Sequence, residues 1–281
     1  MILVTGATGN IGRPTVRALV EQGADVRVFV RDRAKLGDMV DRVDVVEGTF
    51  DDAAALRKAM RGIYRLYLHA IGGGNDEVTA AVDAARAEGV RHVVQLSSLS
   101  ASIPGSPDSQ WFHKREAIVK DAGFDWTMVR PGFFMSNIFR WLPEISQHGK
   151  VSWIAGRFSP VDPDDVAAVI VAALTQQGHE GRVHDLTGSE LMDSAVQVRI
   201  LAEVTGKPIA FEEISVEQVI EQVRDTGAPE ERIAFAAAVA RALVDGEWEL
   251  VTDTVKQVTG RDPETFRQWC TRHRAEIEAG V

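Results

Sequence analysis

The sequence predicts an α/β protein, a doubly wound parallel sheet joined to a smaller mixed, mainly helical C-terminal lobe. Three observations carry that prediction. From Met1 to about Thr187, short β-branched apolar runs alternate with longer helical stretches, the pattern of parallel strands with helices on both faces. Each strand-helix-strand step takes roughly 20 to 35 residues, enough for a right-handed crossover. A turn with three glycines, Gly6-Ala7-Thr8-Gly9-Asn10-Ile11-Gly12, joins the first strand to the first helix.

The apolar runs place strands at Ile2–Thr5, Asp25–Val30, Asp44–Glu47, Ile63–Ala70, His92–Leu96 and Trp126–Arg130, with a short later one near Val183–Leu186. Helices are expected between them near Ile11–Gln22, Asp52–Ala59, Asp76–Glu88, Phe112–Ala122 and Asp164–Leu174. After Pro131 the texture changes, because Phe133, Phe134, Phe139, Trp141 and Trp153 crowd into a segment with poor strand or helix periodicity. Downstream of Gly188 come a helix (Ser194–Val204), a strand (Ile209–Ile214) and helical stretches around Val216–Arg224, Pro229–Val244, Asp253–Val258 and Pro263–Ile277. Pro229 and Pro263 suit first helical turns, and Ser215 and Asp262 suit N-caps. The expected division is residues 1–132 plus about 160–188 as one domain, with 133–159 plus 189–281 as the second lobe.

Composition narrows the partners. Lys plus Arg number 31 against 41 Asp plus Glu, a net charge of -10, which argues against binding a nucleic-acid backbone. Cys270 stands alone, so no intramolecular disulfide can form, in keeping with a reducing compartment. The longest apolar stretch considered, Val166–Leu174, is far short of the ~20 residues of a membrane span, and the N-terminal residues do not resemble a secretory signal. The expectation is a cytoplasmic monomer or homodimer that acts on a small molecule, away from membranes. No metal is expected, since the seven histidines show no paired ligand spacing with a carboxylate, and no Gly-x-Ser-x-Gly elbow marks a hydrolase.

The glycine turn is the sharpest chemical signal. A dinucleotide diphosphate comes so close to backbone that one glycine must leave space for it, while another makes the tight turn and the last lets helix and strand pack. Backbone N–H groups at the helix start, with the positive end of its dipole, receive the phosphate charge. Gly6, Thr8, Gly9, Asn10, Ile11 and Gly12 are the candidate cofactor residues here. At the end of the second strand stands Arg31, where a carboxylate would accept bonds from an NAD ribose. A cation there favours a 2′-phosphate, with Arg33 and Lys35 as helpers, so NADP(H) is expected over NAD(H). That preference weakens or reverses if the Asp32 carboxylate instead points at the ribose. Gly48-Thr49-Phe50-Asp51-Asp52 offers Phe50 and Asp51 to the adenine side and Asp52 as a helix cap. His69-Ala70-Ile71-Gly72-Gly73-Gly74 leaves the fourth strand at the carboxyl edge, where Ala70 is placed against the cofactor.

Together these residues resemble the NmrA-like group of atypical short-chain dehydrogenases/reductases, along essentially the whole chain. The resemblance rests on Thr5 to Gly12, Arg31, Gly48-Thr49-Phe50-Asp51 and Gly123-Phe124-Asp125-Trp126-Thr127-Met128-Val129-Arg130-Pro131-Gly132-Phe133-Phe134. Further landmarks are Asp164-Asp165-Val166-Ala167, Leu186-Thr187-Gly188 and Thr205-Gly206-Lys207-Pro208. It implies a Rossmann-like fold and an NAD(P) cofactor. Known members reduce quinones, triphenylmethane dyes or alkaloid iminium groups, or only sense the NADP(H) pool.

One departure matters. The resemblance implies a Tyr-x-x-x-Lys pair on the helix after the fifth strand, yet Gln110 stands four residues before Lys114, and Tyr64 and Tyr67 are the chain's only tyrosines. Glutamine does not ionise near neutral pH, so the usual proton relay is missing. Alcohol oxidation is disfavoured, whereas hydride delivery to an electron-poor quinone, iminium or similar acceptor needs less acid help. The catalytic candidates are Lys114, assigned by the resemblance to the nicotinamide ribose, His113 as the nearby imidazole, and Ser97. The serine bonds either substrate or nicotinamide, or simply satisfies backbone at the strand end. Phe133, Phe134 and Trp153 are the expected acceptor walls, with core packing as the alternative for Trp153 and Trp141. The competing function is a non-enzymatic NADP(H) sensor that acts through a protein partner.

Overall fold

A computed structural model describes residues 1–70, 74–103, 106 and 108–281. The first half runs β1 (Ile2–Thr5), α1 (Gly12–Glu21), β2 (Val26–Val30), β3 (Asp44–Glu47), α2 (Ala53–Met60), β4 (Arg65–Leu68), α3 (Asn75–Ala87), β5 (His92–Leu96), α4 (Ser109–Lys120) and β6 (Asp125–Pro131). Then come α5 (Leu142–His148), β7 (Lys150–Trp153), β8 (Arg157–Phe158), α6 (Pro163–Thr175), β9 (Arg182–Leu186), β10 (Met192–Asp193) and α7 (Ser194–Thr205). The chain closes with β11 (Ala210–Glu213), α8 (Val216–Asp225), α9 (Glu230–Val244), α10 (Thr254–Thr259), α11 (Phe266–Arg272) and α12 (Arg274–Gly280).

Seven strands form one sheet in the order β3-β2-β1-β4-β5-β6-β9, and every neighbouring pair is parallel. Its register aligns a row of side chains, Val28, Val4, Tyr67, Val94 and Thr127, across five strands. Four of these join Val16 and Leu19 of α1 and Val166, Val169 and Ile170 of α6 in a core on one face. Leu3, Leu66, Leu68 and Val93 point to the other face, against Leu56 and Met60 of α2 and Val78 and Val82 of α3. The sheet is therefore sandwiched, as its near-continuous apolar strands require. Strand order reverses between β1 and β4, which opens a crevice at their carboxyl ends.

The remainder gathers on two further cores. Ile138, Leu142, Val198, Phe266 and Trp269 define one, with Trp141 and Trp153 packed against it. The other holds Leu99, Phe158, Leu243 and Trp248, with Phe133 and again Trp153 against it. The segment expected to be irregular contains a 3-10 helix at Met135–Arg140, α5 and β7, elements too short to leave a period in the sequence. Near the C-terminus the expected single helix from Pro263 is two, α11 and α12, divided at His273. Pro263 and Asp262 do not start it. Thr265 is the N-cap, in a capping box with Gln268, and Asp262 pairs with Lys256 at 2.7 Å. Ser215 caps α8 as expected, also in a capping box.

At the amino-side edge of β5, β6 and β9 lies a chain of polar groups. Thr127 Oγ1 donates to the His179 carbonyl at 2.7 Å and so accepts from His92 Nε2 at 2.9 Å. His179 Nδ1 and His184 Nε2 share a hydrogen 3.1 Å apart. Burial first, then His179 and Arg182, push the His184 pKa down to about 4. The unfolded chain, with an ordinary value near 6.5, then binds the proton first, and stability falls as pH drops from about 6.5 towards about 4. We expect His184→Gln to flatten this part of a plot of melting temperature against pH. An unchanged slope would refute the assignment.

Candidate functional site

The crevice is built from the glycine turn outward. Thr5 Oγ1 accepts the His69 N–H at 2.7 Å and turns its own hydrogen to the Tyr67 carbonyl at 3.1 Å, tying the end of β1 to the end of β4. Each glycine then has its own reason. Gly6 adopts φ +65°, which disfavours a side chain. A Cβ on Gly12 would lie 2.0 Å from the Gly6 carbonyl oxygen, so no residue but glycine fits between turn and helix. A Cβ on Gly9 would meet only that same oxygen, at 3.3 Å. The protein itself thus almost tolerates alanine at position 9, and the missing side chain there leaves room on the cleft side. No side chain caps α1 at Ile11, whereas α2, α6 and α7 are capped by Asp52, Asp162 and Asp193. The Arg13 N–H is taken by the Gly9 carbonyl at 3.0 Å and Pro14 has none, so the donors left at this end are those of Ile11 and Gly12.

A cleft of about 400 Å³ opens over this turn. Of the expected cofactor residues, Gly6, Thr8, Gly9, Arg31, Phe50, Asp51 and Ala70 line it. Asn10, Ile11, Gly12 and Lys114 are not among its lining residues. Ile11 is buried in the core and Gly12 is packed between turn and helix, so neither offers a side chain to the cleft. The Asn10 side chain turns away, donating to Ser136 Oγ at 2.8 Å and facing a second cleft of about 330 Å³ on the other side of the turn. The Asp32 carboxylate caps the following 3-10 helix by accepting the Ala34 N–H at 2.9 Å. It does not line the cleft, and Arg31 does. Arg33 and Lys35 also stay out of it; the Lys35 carbonyl instead accepts from Arg13 at 2.7 Å. Residues 71–73 of the glycine-rich stretch after Ala70 lie outside the described residues.

Beyond β5 the structure holds a buried ion pair rather than an open acid. Glu116 of α4 receives both Arg130 Nε and Nη2, each at 2.7 Å, the Ser97 hydroxyl at 2.7 Å and Lys120 Nζ at 2.9 Å. Burial alone would raise this carboxyl; the bonds from Arg130, Ser97 and Lys120 outweigh it and hold the pKa at about 2. The Ser97 hydrogen is therefore committed to Glu116. Neither of the two sequence alternatives for Ser97 foresaw that partner. Arg130 continues through Ser102 Oγ at 2.8 Å to Asp185, whose carboxylate accepts from Ser102 at 2.7 Å. His113 and Lys114 are exposed at the start of α4.

The aromatic residues after β6 divide. Phe133 sits 4.6 Å from Phe158 and 4.7 Å from Trp248, ring centre to ring centre. Phe134 bridges to Val161 and packs against the sheet core instead, and Trp153 is wedged between the two smaller cores.

The model of the NAD(P)H-binding family matches residues 6–177, more than half of the chain. The chain belongs to that family. It is 38% identical over 277 residues to (4-alkanoyl-5-oxo-2,5-dihydrofuran-3-yl)methyl phosphate reductase of Streptomyces griseus subsp. griseus, covering 97% of this chain and 98% of the relative. Identity to the NAD(P)H azoreductase of Xenophilus azovorans is 33% over 295 residues, or 99% of this chain and all of the relative. The fold superposes with a TM-score of 0.86 on an NADPH-dependent quinone oxidoreductase of Escherichia coli complexed with NADPH, 22% identical over 97% of this chain and 99% of that one. As a member of the NAD(P)H-binding family, the chain is an NAD(P)H-dependent oxidoreductase.

Within this NAD(P)H-binding protein, sequence reasoning missed Phe29, His69 and Glu77, all of which line the cleft. Phe29 meets Phe50 edge to face at 5.9 Å, so two rings rather than one flank the third-strand loop. An alternating strand pattern marks Phe29 only as core. Tyr67 is fully buried among core residues, and its hydroxyl has no hydrogen-bond partner among the described residues. Tyr64 is 57% exposed and precedes β4, at the opposite edge of the sheet from the cleft. Among the described residues, no group of three His, Cys, Asp or Glu side chains is placed to hold a metal ion, and no helix is long and apolar enough to cross a membrane.

Proposed function

We propose that the chain uses NADPH in preference to NADH to reduce an electron-poor, planar or polycyclic small molecule, with no acid where related enzymes place a tyrosine. The observation that carries this reading is the position of the two tyrosines, one sealed in the core and the other at the far edge of the sheet. Without a phenol at the carboxyl edge, the acceptor itself must be ready to take hydride. When bound, the cofactor supplies that hydride from its nicotinamide, and the proton that completes the reduction comes from water or from His113. The α1 backbone holds the diphosphate, Arg31 the 2′-phosphate, and Lys114 the nicotinamide-side ribose. Phe133, backed by Phe158 and Trp248, offers the acceptor a flat apolar surface where the lobe of residues 133–159 and 189–281 meets the sheet. The names of the two relatives fit this class, since an azo group and an unsaturated lactone are both electron-poor acceptors.

The test follows loss of the reduced-nicotinamide absorbance with a panel of quinones, azo compounds, unsaturated lactones and iminium or cationic dyes. Turnover with at least one class and none with simple alcohols under NADP+ is the expected result. Tight nucleotide binding with no turnover on any acceptor would favour the sensor reading instead. For the cofactor, Arg31→Ala should weaken NADPH binding by about 1–3 kcal/mol, the scale of a charge-assisted contact, and barely change NADH binding. Equal losses for the two nucleotides would remove Arg31 from the phosphate.

A further inference from the structure

The cleft contains one ionisable ring without a task in the reading above. His69 directly follows β4, where strand order reverses, and lines the cleft beside Gly6, Thr8 and Ala70. Its backbone is fixed by Thr5, and its ring presses on the turn, for a Cβ on Gly6 would come within 2.6 Å of Nδ1. That nitrogen is buried against the turn and has no hydrogen-bond partner among the described residues. A buried polar atom left unpaired costs stability. An apolar side chain would fill the same wedge without that cost.

We propose that His69 is a ligand of the cofactor's bridging diphosphate and takes up a proton as the dinucleotide binds. The proposal rests on reading the cleft as the dinucleotide site. The diphosphate is the anionic group that a turn of this kind receives, and His69 is the titratable ring that touches the turn. Charged and titratable groups around the ring come from five elements. Arg115 of α4 disfavours a second positive charge, Glu77 of α3, Asp51 after β3 and Arg31 after β2 line the same cleft, and Tyr67 of β4 lies 6.4 Å away, ring to ring. From β1 come only Thr5 and Gly6, without charge. In the free protein, burial first and Arg115 second hold the imidazole neutral at neutral pH. An adjacent diphosphate reverses that balance by attraction to the imidazolium. Affinity then climbs as pH falls through the bound-state pKa and levels off below the free-state value.

Calorimetry of NADH binding at about pH 6.5, near the imidazole range, in two buffers of different ionisation enthalpy counts the protons taken up. NADH is the probe because it lacks the 2′-phosphate, which titrates in the same range. We expect net proton uptake by the wild type, no uptake by His69→Gln, and about tenfold weaker binding by that variant below neutral pH. The imidazole signal of His69 in the wild type, followed by NMR, should move its titration midpoint upward by about one unit when NADP+ is added. That measurement stands even if His69→Gln does not fold. Nucleotide binding without proton uptake, uptake that persists in His69→Gln, or an unmoved midpoint would overturn the proposal. Absence of any nucleotide binding by the wild type would instead overturn the reading of the cleft beneath it.

Discussion

Replacing Glu116 by alanine should destabilise the fold by about 3–5 kcal/mol, the usual cost of stranding one member of a buried ion pair. Arg130 is 8% exposed and would lose two of its bonds, both at 2.7 Å. Ser97, 3% exposed, would lose its acceptor as well. Lys120→Ala, by contrast, removes a partner whose side chain is 30% exposed, and about 1 kcal/mol or less is expected. Denaturant unfolding of both variants checks the contrast, and a Glu116→Ala loss no larger than the Lys120→Ala loss would contradict the buried network. The sign with pH follows. The folded pKa of about 2 lies below the ordinary carboxyl value of 4.5, so Glu116 stabilises fully above that ordinary value. Its contribution disappears as pH falls through about 2.

Two glycines three residues apart should fail in different ways. In Gly12→Ala the new Cβ would sit 2.0 Å from one backbone oxygen and 2.7 Å from a backbone carbon of Gly6. No flexible side chain is there to yield, so the turn must break and melting temperature should fall sharply. In Gly9→Val the first added carbon meets a single oxygen at 3.3 Å, and the fold should survive with a loss of about 1 kcal/mol or less. Binding should not survive, because the valine occupies cleft space kept for a diphosphate. We expect NADPH affinity to drop by about two orders of magnitude, some 3 kcal/mol. Circular dichroism melts and nucleotide titrations of the two variants separate the effects. A Gly9→Val protein that melts normally and binds NADPH as well as wild type would show that the turn is only structural.

What the sequence disclosed and what it hid follow from the range of each interaction. Strands β3 and β5 occupy the residues expected of them, since an apolar run between turns carries its own boundaries. The caps Asp52 and Ser215 act within three residues of themselves and were equally readable. Arg31 stands in the cleft because strand length alone places it at the edge. His69 was hidden: its contact with Gly6 exists only because β4 pairs with β1, and Thr5 and His69 are 64 residues apart. The partners of Ser97 depend likewise on α4 and β6 meeting over β5. Pro263 misled because its position suits a first turn, yet Thr265 and Gln268 form the better cap two residues on. The stretch ahead of them is used elsewhere, with the Glu264 N–H bound to Asp165 at 2.8 Å. Phe133, Phe134 and Trp153 show the limit of an aromatic cluster as a signal: the adjacent rings of Phe133 and Phe134 pack on different cores, and Trp153 lies between two.

Equilibrium dialysis of the purified protein against NADPH, NADH, NADP+ and NAD+ puts the whole account at risk in one experiment. Saturable binding at one site per chain, tighter for the 2′-phosphorylated pair, is the predicted result. Failure of all four nucleotides to bind a folded sample would mean that the bend after β1 has some purpose other than holding a coenzyme.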